Sequence, residues 1–163
     1  MKEETLRIYW QVYTDGMRCL KNWDKVDEKT IETMTAKHQI GVMGRVFTLA
    51  VSGEIQRIKE DMTPLQPLMY QDIFVDAWNF FKTHCDPVED EAWWDKLVED
   101  IKIPLKKYHE TILVKHLFVD VTLEEIERIY KEGRKHALGM QKAKKLLLPE
   151  QSGAGLRKCE ANR

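Results

Sequence analysis

Apolar residues recur at steps of three and four along most of the chain, the period of amphipathic helices rather than strands. The first run is Leu6, Trp10, Tyr13, Met17 and Leu20, widened on one flank by Ile8, Val12, Cys19 and Trp23. The pattern breaks at "NWDKVD", with Asp27 placed to cap a second helix. That helix is expected to be long, from about Glu28 to Asp61. Its middle, "IGVMGRVFTLAVSG", is apolar almost all round, which predicts burial on several sides. Gly41, Gly44 and Gly53 each cost about 1 kcal/mol relative to alanine in a helix, so they are expected where another helix comes close.

"TPLQP" is a stop, because each proline biases its predecessor away from helix. The third helix carries Tyr70, Phe74, Ala77, Trp78 and Phe81 on one face and ends near "THCDP". In the fourth, Trp94, Val98, Ile101, Leu105, Tyr108 and Ile112 form a seam, with Trp93 and Leu97 along its edge. Pro104 lacks an amide donor and crowds the preceding turn, which predicts a kink or restart there. "ILVKHLFVDV" is rich in β-branched residues but keeps the helical phase, so it reads as helix. Thr122-Leu-Glu-Glu125 has the capping-box spacing and marks the start of a fifth helix. Leu123, Ile126, Tyr130, Gly133, Ala137 and Met140 form its stripe. The expected fold is an all-α, single-domain bundle over residues 1–148, with about five main helices around the nearly all-apolar second one. Residues 149–163 read as a flexible basic tail.

At 163 residues the chain suits one domain with its own core, and the net charge of −1 draws the whole molecule to neither nucleic acid nor membrane. Three widely spaced cysteines make a disulfide framework an unlikely design and point to reduced thiols in the cytoplasm. No window approaches the roughly 18 consecutive apolar residues of a membrane span. None of the five histidines (38, 84, 109, 116 and 136) pairs with another at i,i+4, and "HETILVKH" fails the zinc-protease spacing. There is no GxSxG and no phosphate-binding loop, so no cofactor and no metal are expected. Asp72 with Asp76, and Glu124 with Glu127, resemble in spacing the acid pairs of all-α nucleotide pyrophosphohydrolases. That resemblance implies a magnesium-dependent hydrolase, provided the four carboxylates converge. A solvated acidic face is the favoured reading. His38 and Arg45 lie in the apolar second helix, where a buried arginine needs an acidic partner; failing that, the pair marks a cleft.

Charge is unevenly spread. Residues 86–100 hold seven acids and one lysine, a net of −6, and residues 131–163 hold nine bases and three acids, a net of +6. Two tryptophans, Trp93 and Trp94, sit between Glu91 and Asp95 in the acidic stretch. Adjacent helical residues diverge by about 100°, so both rings are buried only if the helix is flanked on two sides. Trp94 is therefore assigned to the core seam and Trp93 to its margin, as the first candidate contact. In the basic stretch, Lys131, Arg134, Lys135, Lys142, Lys144 and Lys145 are the candidates for nucleic-acid contact.

The segment "WNFFKTHCDPVEDEAWWDKLVEDIKIPLKKY", with its apolar run and "LEEIERIYKE", resembles small all-α proteins of Gram-positive prophages and conjugative elements over roughly residues 70–132. The resemblance implies an accessory protein that modulates a host protein, and assigns no functional residues. The leading expectation is thus a non-enzymatic interaction protein acting through helix faces near Trp93, Trp94, Glu91 and Asp95. A nucleic-acid-associated protein is second and the hydrolase third. A protein partner is expected, nucleic acid and self-association are open, and no membrane is involved.

Overall fold

The computed structural model describes residues 1–147, those from 139 onward for their helical path alone. The described residues are helical and contain no strand, so the fold is the all-α, single-domain bundle that the periodicity predicts. Contacts gather Met1–Lys131 into one compact unit. The expected tail, 149–163, lies outside the described residues.

Helix α1 (Glu3–Lys21) has Glu3 and Glu4 in its first turn and Arg18 and Lys21 in its last, each sign placed to complement the helix dipole. Its buried face is Tyr9, Val12, Tyr13, Gly16, Cys19 and Leu20. The stripe is therefore rotated from the one expected, and Trp10 and Ile8 are exposed. Gly16 explains the rotation: a Cβ there would meet the Phe74 ring at 2.7 Å and Val46 at 2.8 Å. The backbone of α1 thus comes close to α4 (Pro67–His84), which it packs along. Pro67 opens α4 at a position where its missing amide costs nothing. Tyr70, Ile73, Phe74, Ala77, Phe80, Phe81 and His84 make up its buried face.

The long second helix is corrected to a break. Helix α2 runs only from Glu28 to Lys37, capped by Asp27, whose carboxylate accepts from Thr30 N at 2.8 Å. Residues 38–44 are turn, and helical winding resumes as a π segment, π1 (Val46–Val51), that continues into α3 (Ser52–Asp61). The break has a local and a tertiary cause. Gly41 sits at φ +52°, a left-handed conformation that glycine adopts without penalty. The amide of Val42 then donates to Glu125 at 2.8 Å, so the turn is held by a buried carboxylate. Apolarity was still a true guide to depth: Met43, Val46, Phe47, Ala50 and Val51 are fully buried.

Helix α5 (Glu91–Lys107) is capped by Asp90, which accepts from Ala92 N at 3.1 Å. Its buried seam is Leu97, Ile101, Pro104 and Tyr108, at steps of four and three; Ile101 and Tyr108 hold their expected places, while Leu97 and Pro104 replace Val98 and Leu105. Val98 and Ile112, assigned to the seam, are 48% and 50% exposed. The helix continues through Pro104, and the restart comes at residues 108–111, where His109 and Glu110 take positive φ.

From there α6 (Ile112–Lys115), a second π segment, π2 (His116–Leu123), and α7 (Glu124–Leu147) follow one another with helical backbone at each junction. The capping box is therefore corrected too: Thr122 and Glu125 start nothing. The Thr122 hydroxyl donates to Leu117 O at 2.7 Å, five residues back as a π turn allows, and meets Tyr13 Oη at 2.8 Å. The two π segments pack on each other at the centre of the unit.

Candidate functional site

Three polar clusters lie inside the unit, and each is satisfied by its own members. Glu125, with no exposed surface, accepts from Tyr9 Oη and from Arg128 Nη2 (2.6 Å) through one oxygen. Its other oxygen accepts from Val42 N (2.8 Å) and Arg128 Nε (3.0 Å). Four donors saturate the carboxylate, so it has no lone pair turned toward a substrate. Burial first, and the Glu125 carboxylate second, push the Tyr9 phenol well above its ordinary range. Asp15 accepts from Lys37 Nζ at 2.7 Å and pairs with His38 Nε2 at 2.8 Å, and the His38 ring stacks on Phe47. Burial works against the Asp15 charge, but the bonds to Lys37 and His38 outweigh it and hold the carboxyl below its usual range. Glu54 takes a bidentate pair from Arg57 (2.7 and 2.9 Å) and a bond from Tyr70 Oη at 2.8 Å. Each buried carboxylate thus has partners that offset the cost of its burial.

The four acids of the hydrolase reading go to separate places. Asp76 accepts from Lys107 Nζ and Tyr108 Oη, at 2.7 and 2.6 Å. Glu124 pairs with Arg45, Glu127 with Lys131, and Asp72 is exposed. Among the described residues no three His, Cys, Asp or Glu side chains gather at a point that would hold a metal ion. Arg45 is exposed and not buried as expected, and it pairs with Glu124 at the surface, while His38 is buried against Asp15 and Phe47. The two are not brought together. Lys135 is exposed on α7; Lys142, Lys144 and Lys145 follow on its helical path.

The tryptophans stand over the first turn of α5. Leu97 heads the seam in place of Trp94; on a helical wheel Trp93 lies about 40° to one side of it and Trp94 about 60° to the other. Both indoles are half-buried and pack on the core from its rim. Trp93 meets Trp94 edge-on at 4.8 Å, and each ring has a further partner. His84 lies 5.7 Å from Trp93, and Tyr130 lies 5.1 Å from Trp94. The four rings form a ladder from the end of α4, across α5, to α7.

His84 closes α4. It is buried, with Phe80 one turn before it and Asp100 at 3.2 Å. Its place one helical turn after Phe80 was the signal available. Burial, more than any charge, lowers the imidazole below its ordinary range, with Asp100 opposing and Lys96 assisting.

The Trp94 side of this ladder is open. Trp94 Nε1 donates to Val88 O at 3.1 Å, which brings the half-exposed Val88 beside the ring. Val98, one turn along from Trp94, is half-exposed as well. Glu91 and Asp95 border the strip, exposed and without a hydrogen bond or ion pair among the described residues. By contrast Asp86, Glu99 and Asp100 in the same stretch are all engaged. An apolar strip flanked by two uncommitted carboxylates is the arrangement that this surface presents.

Comparison of the chain with protein families, with curated proteins and with solved structures finds no match.

Proposed function

We propose that the protein is a non-enzymatic interaction module that binds another protein through the Val88–Trp94–Val98 strip. One observation carries the reading: half-exposed apolar side chains lie around an indole held by its hydrogen bond to Val88, and the carboxylates beside them have no partner among the described residues. Tryptophan held in place before binding loses little entropy on contact, and such residues dominate binding energies. The acids at the rim favour a partner with lysines or arginines around an apolar centre. The resemblance of residues 70–132 to small proteins of prophages and conjugative elements supports an accessory role on a host protein. Among the described residues no helix is long and apolar enough to cross a membrane, so the strip is not read as part of a span.

The test is affinity capture from a bacterial lysate with the wild-type chain and with Val98→Glu, which changes the strip without touching the buried seam. A protein identified by mass spectrometry that the wild type retains and the variant loses supports the reading. Equal retention by both chains contradicts it.

A further inference from the structure

A second feature, independent of the tryptophan strip, lies between α2 and residues 46–61. We propose that the cleft there is a binding site for a small aliphatic amine.

Helix α2 has no buried residue along its ten positions and rests on the core through the half-buried Ile31 and Met34. Two helices in full contact interlock their side chains across the interface. Here a cleft of about 430 Å³ remains between them. That volume falls in the range of roughly 300–1,000 Å³ typical of small-molecule sites.

The walls explain why the gap stays open. Glu28 and Glu32, one turn apart, line it from α2, and Thr48 and Ser52, one turn apart, line it from the other side. Carboxylates and hydroxyls within reach would bond each other. These four side chains make no hydrogen bond or ion pair among the described residues. The cleft therefore offers acceptors on one wall and hydroxyls on the other, over apolar surface from Ile31 and Ile55.

The charge of the lining selects the ligand. Asp27, Glu28 and Glu32 against Lys59 leave a net of −2. Asp27 is already committed to Thr30, so Glu28 and Glu32 remain for an incoming cation. An ammonium group donates to the carboxylates and to the hydroxyl oxygens, and a methylene chain suits the apolar surface. Lys59 is the one like charge in the lining and works against the ligand.

The experiment is titration of the full-length, isotopically labelled protein with spermidine at physiological ionic strength, followed through backbone amide shifts. The expected result is saturable shifts at residues 27–32 and 48–59. Charge removal in a solvated cleft acts modestly, so Glu28→Gln/Glu32→Gln should weaken binding about tenfold and Lys59→Gln should tighten it about threefold. All three side chains are exposed, so the variants keep the fold, which unchanged shifts elsewhere confirm. Shifts that instead follow the more acidic stretch 86–100, shifts that never saturate, or an affinity indifferent to these substitutions would each overturn the proposal.

Discussion

Removal of the Glu125 carboxylate leaves the Tyr9 hydroxyl, the Val42 amide and the Arg128 guanidinium without their shared acceptor. Breaking a buried pair from one side costs about 3–5 kcal/mol, so Glu125→Ala should lower the unfolding free energy from a urea titration by that much and leave the protein close to unfolding. Two other residues tie stability to pH. The Asp15 carboxyl is depressed in the folded state, so its contribution is present above the ordinary carboxylate range and is lost as pH falls through the folded value. His84 is also lowered, which means that the unfolded chain takes up its proton first. Stability from His84 is therefore full above its ordinary value of 6.5 and declines as pH drops below it. Asp15→Asn should flatten the acid limb of a stability–pH curve, and His84→Gln the limb just below neutrality. These residues were hard to see in the sequence for a shared reason. A buried glutamate three residues after a threonine reads as a capping box, and an aspartate at the edge of an apolar stripe reads as solvated. Only the tertiary partners, Tyr9 for Glu125 and His38 for Asp15, distinguish the cases.

Among the elements, periodicity placed the helical segments but merged α2 with the helix that follows it and missed how others join. The apolar run 40–53 was read as continuous because nothing local forbids helix there; what breaks it is Gly41 folded beneath Glu125, 84 positions along the chain. Gly41→Ala forces a left-handed alanine and drives a methyl group into that carboxylate and Arg128, so it should cost more than about 1 kcal/mol in a denaturation series. Gly133 is the contrasting case, in mid-helix on α7 with nothing near a Cβ. Gly133→Ala should stabilise that helix by about 0.5–1 kcal/mol, read as increased helical ellipticity. In the α5 seam Ile101 and Tyr108 stand where the pattern puts them, but Leu97 takes the place assigned to the equally apolar Val98. The sequence pattern cannot choose between two adjacent stripes when both repeat at three and four. The structure chooses Leu97 and so places a tryptophan on either side of it.

At the scale of the molecule, uncommitted charge borders exposed apolar surface at the start of α5. The acidic stretch 86–100 is mostly consumed by internal pairs, and the two acids without a partner among the described residues, Glu91 and Asp95, border Trp94. The sequence showed the stretch and the tryptophans, but not that Trp94 rather than Trp93 faces the open strip, because that depends on the phase of α5. The most direct measurement is quantitative capture of the partner by three variants in parallel: Trp94→Ala, Glu91→Lys/Asp95→Lys, and Lys131→Glu/Lys135→Glu. Circular dichroism on each confirms the fold. A partner lost about 30-fold or more with the first two and retained by the third is the result expected of an anchoring tryptophan. Retention by the first two and loss by the third would place the contact on the basic run of α7 and contradict the tryptophan strip as the binding surface.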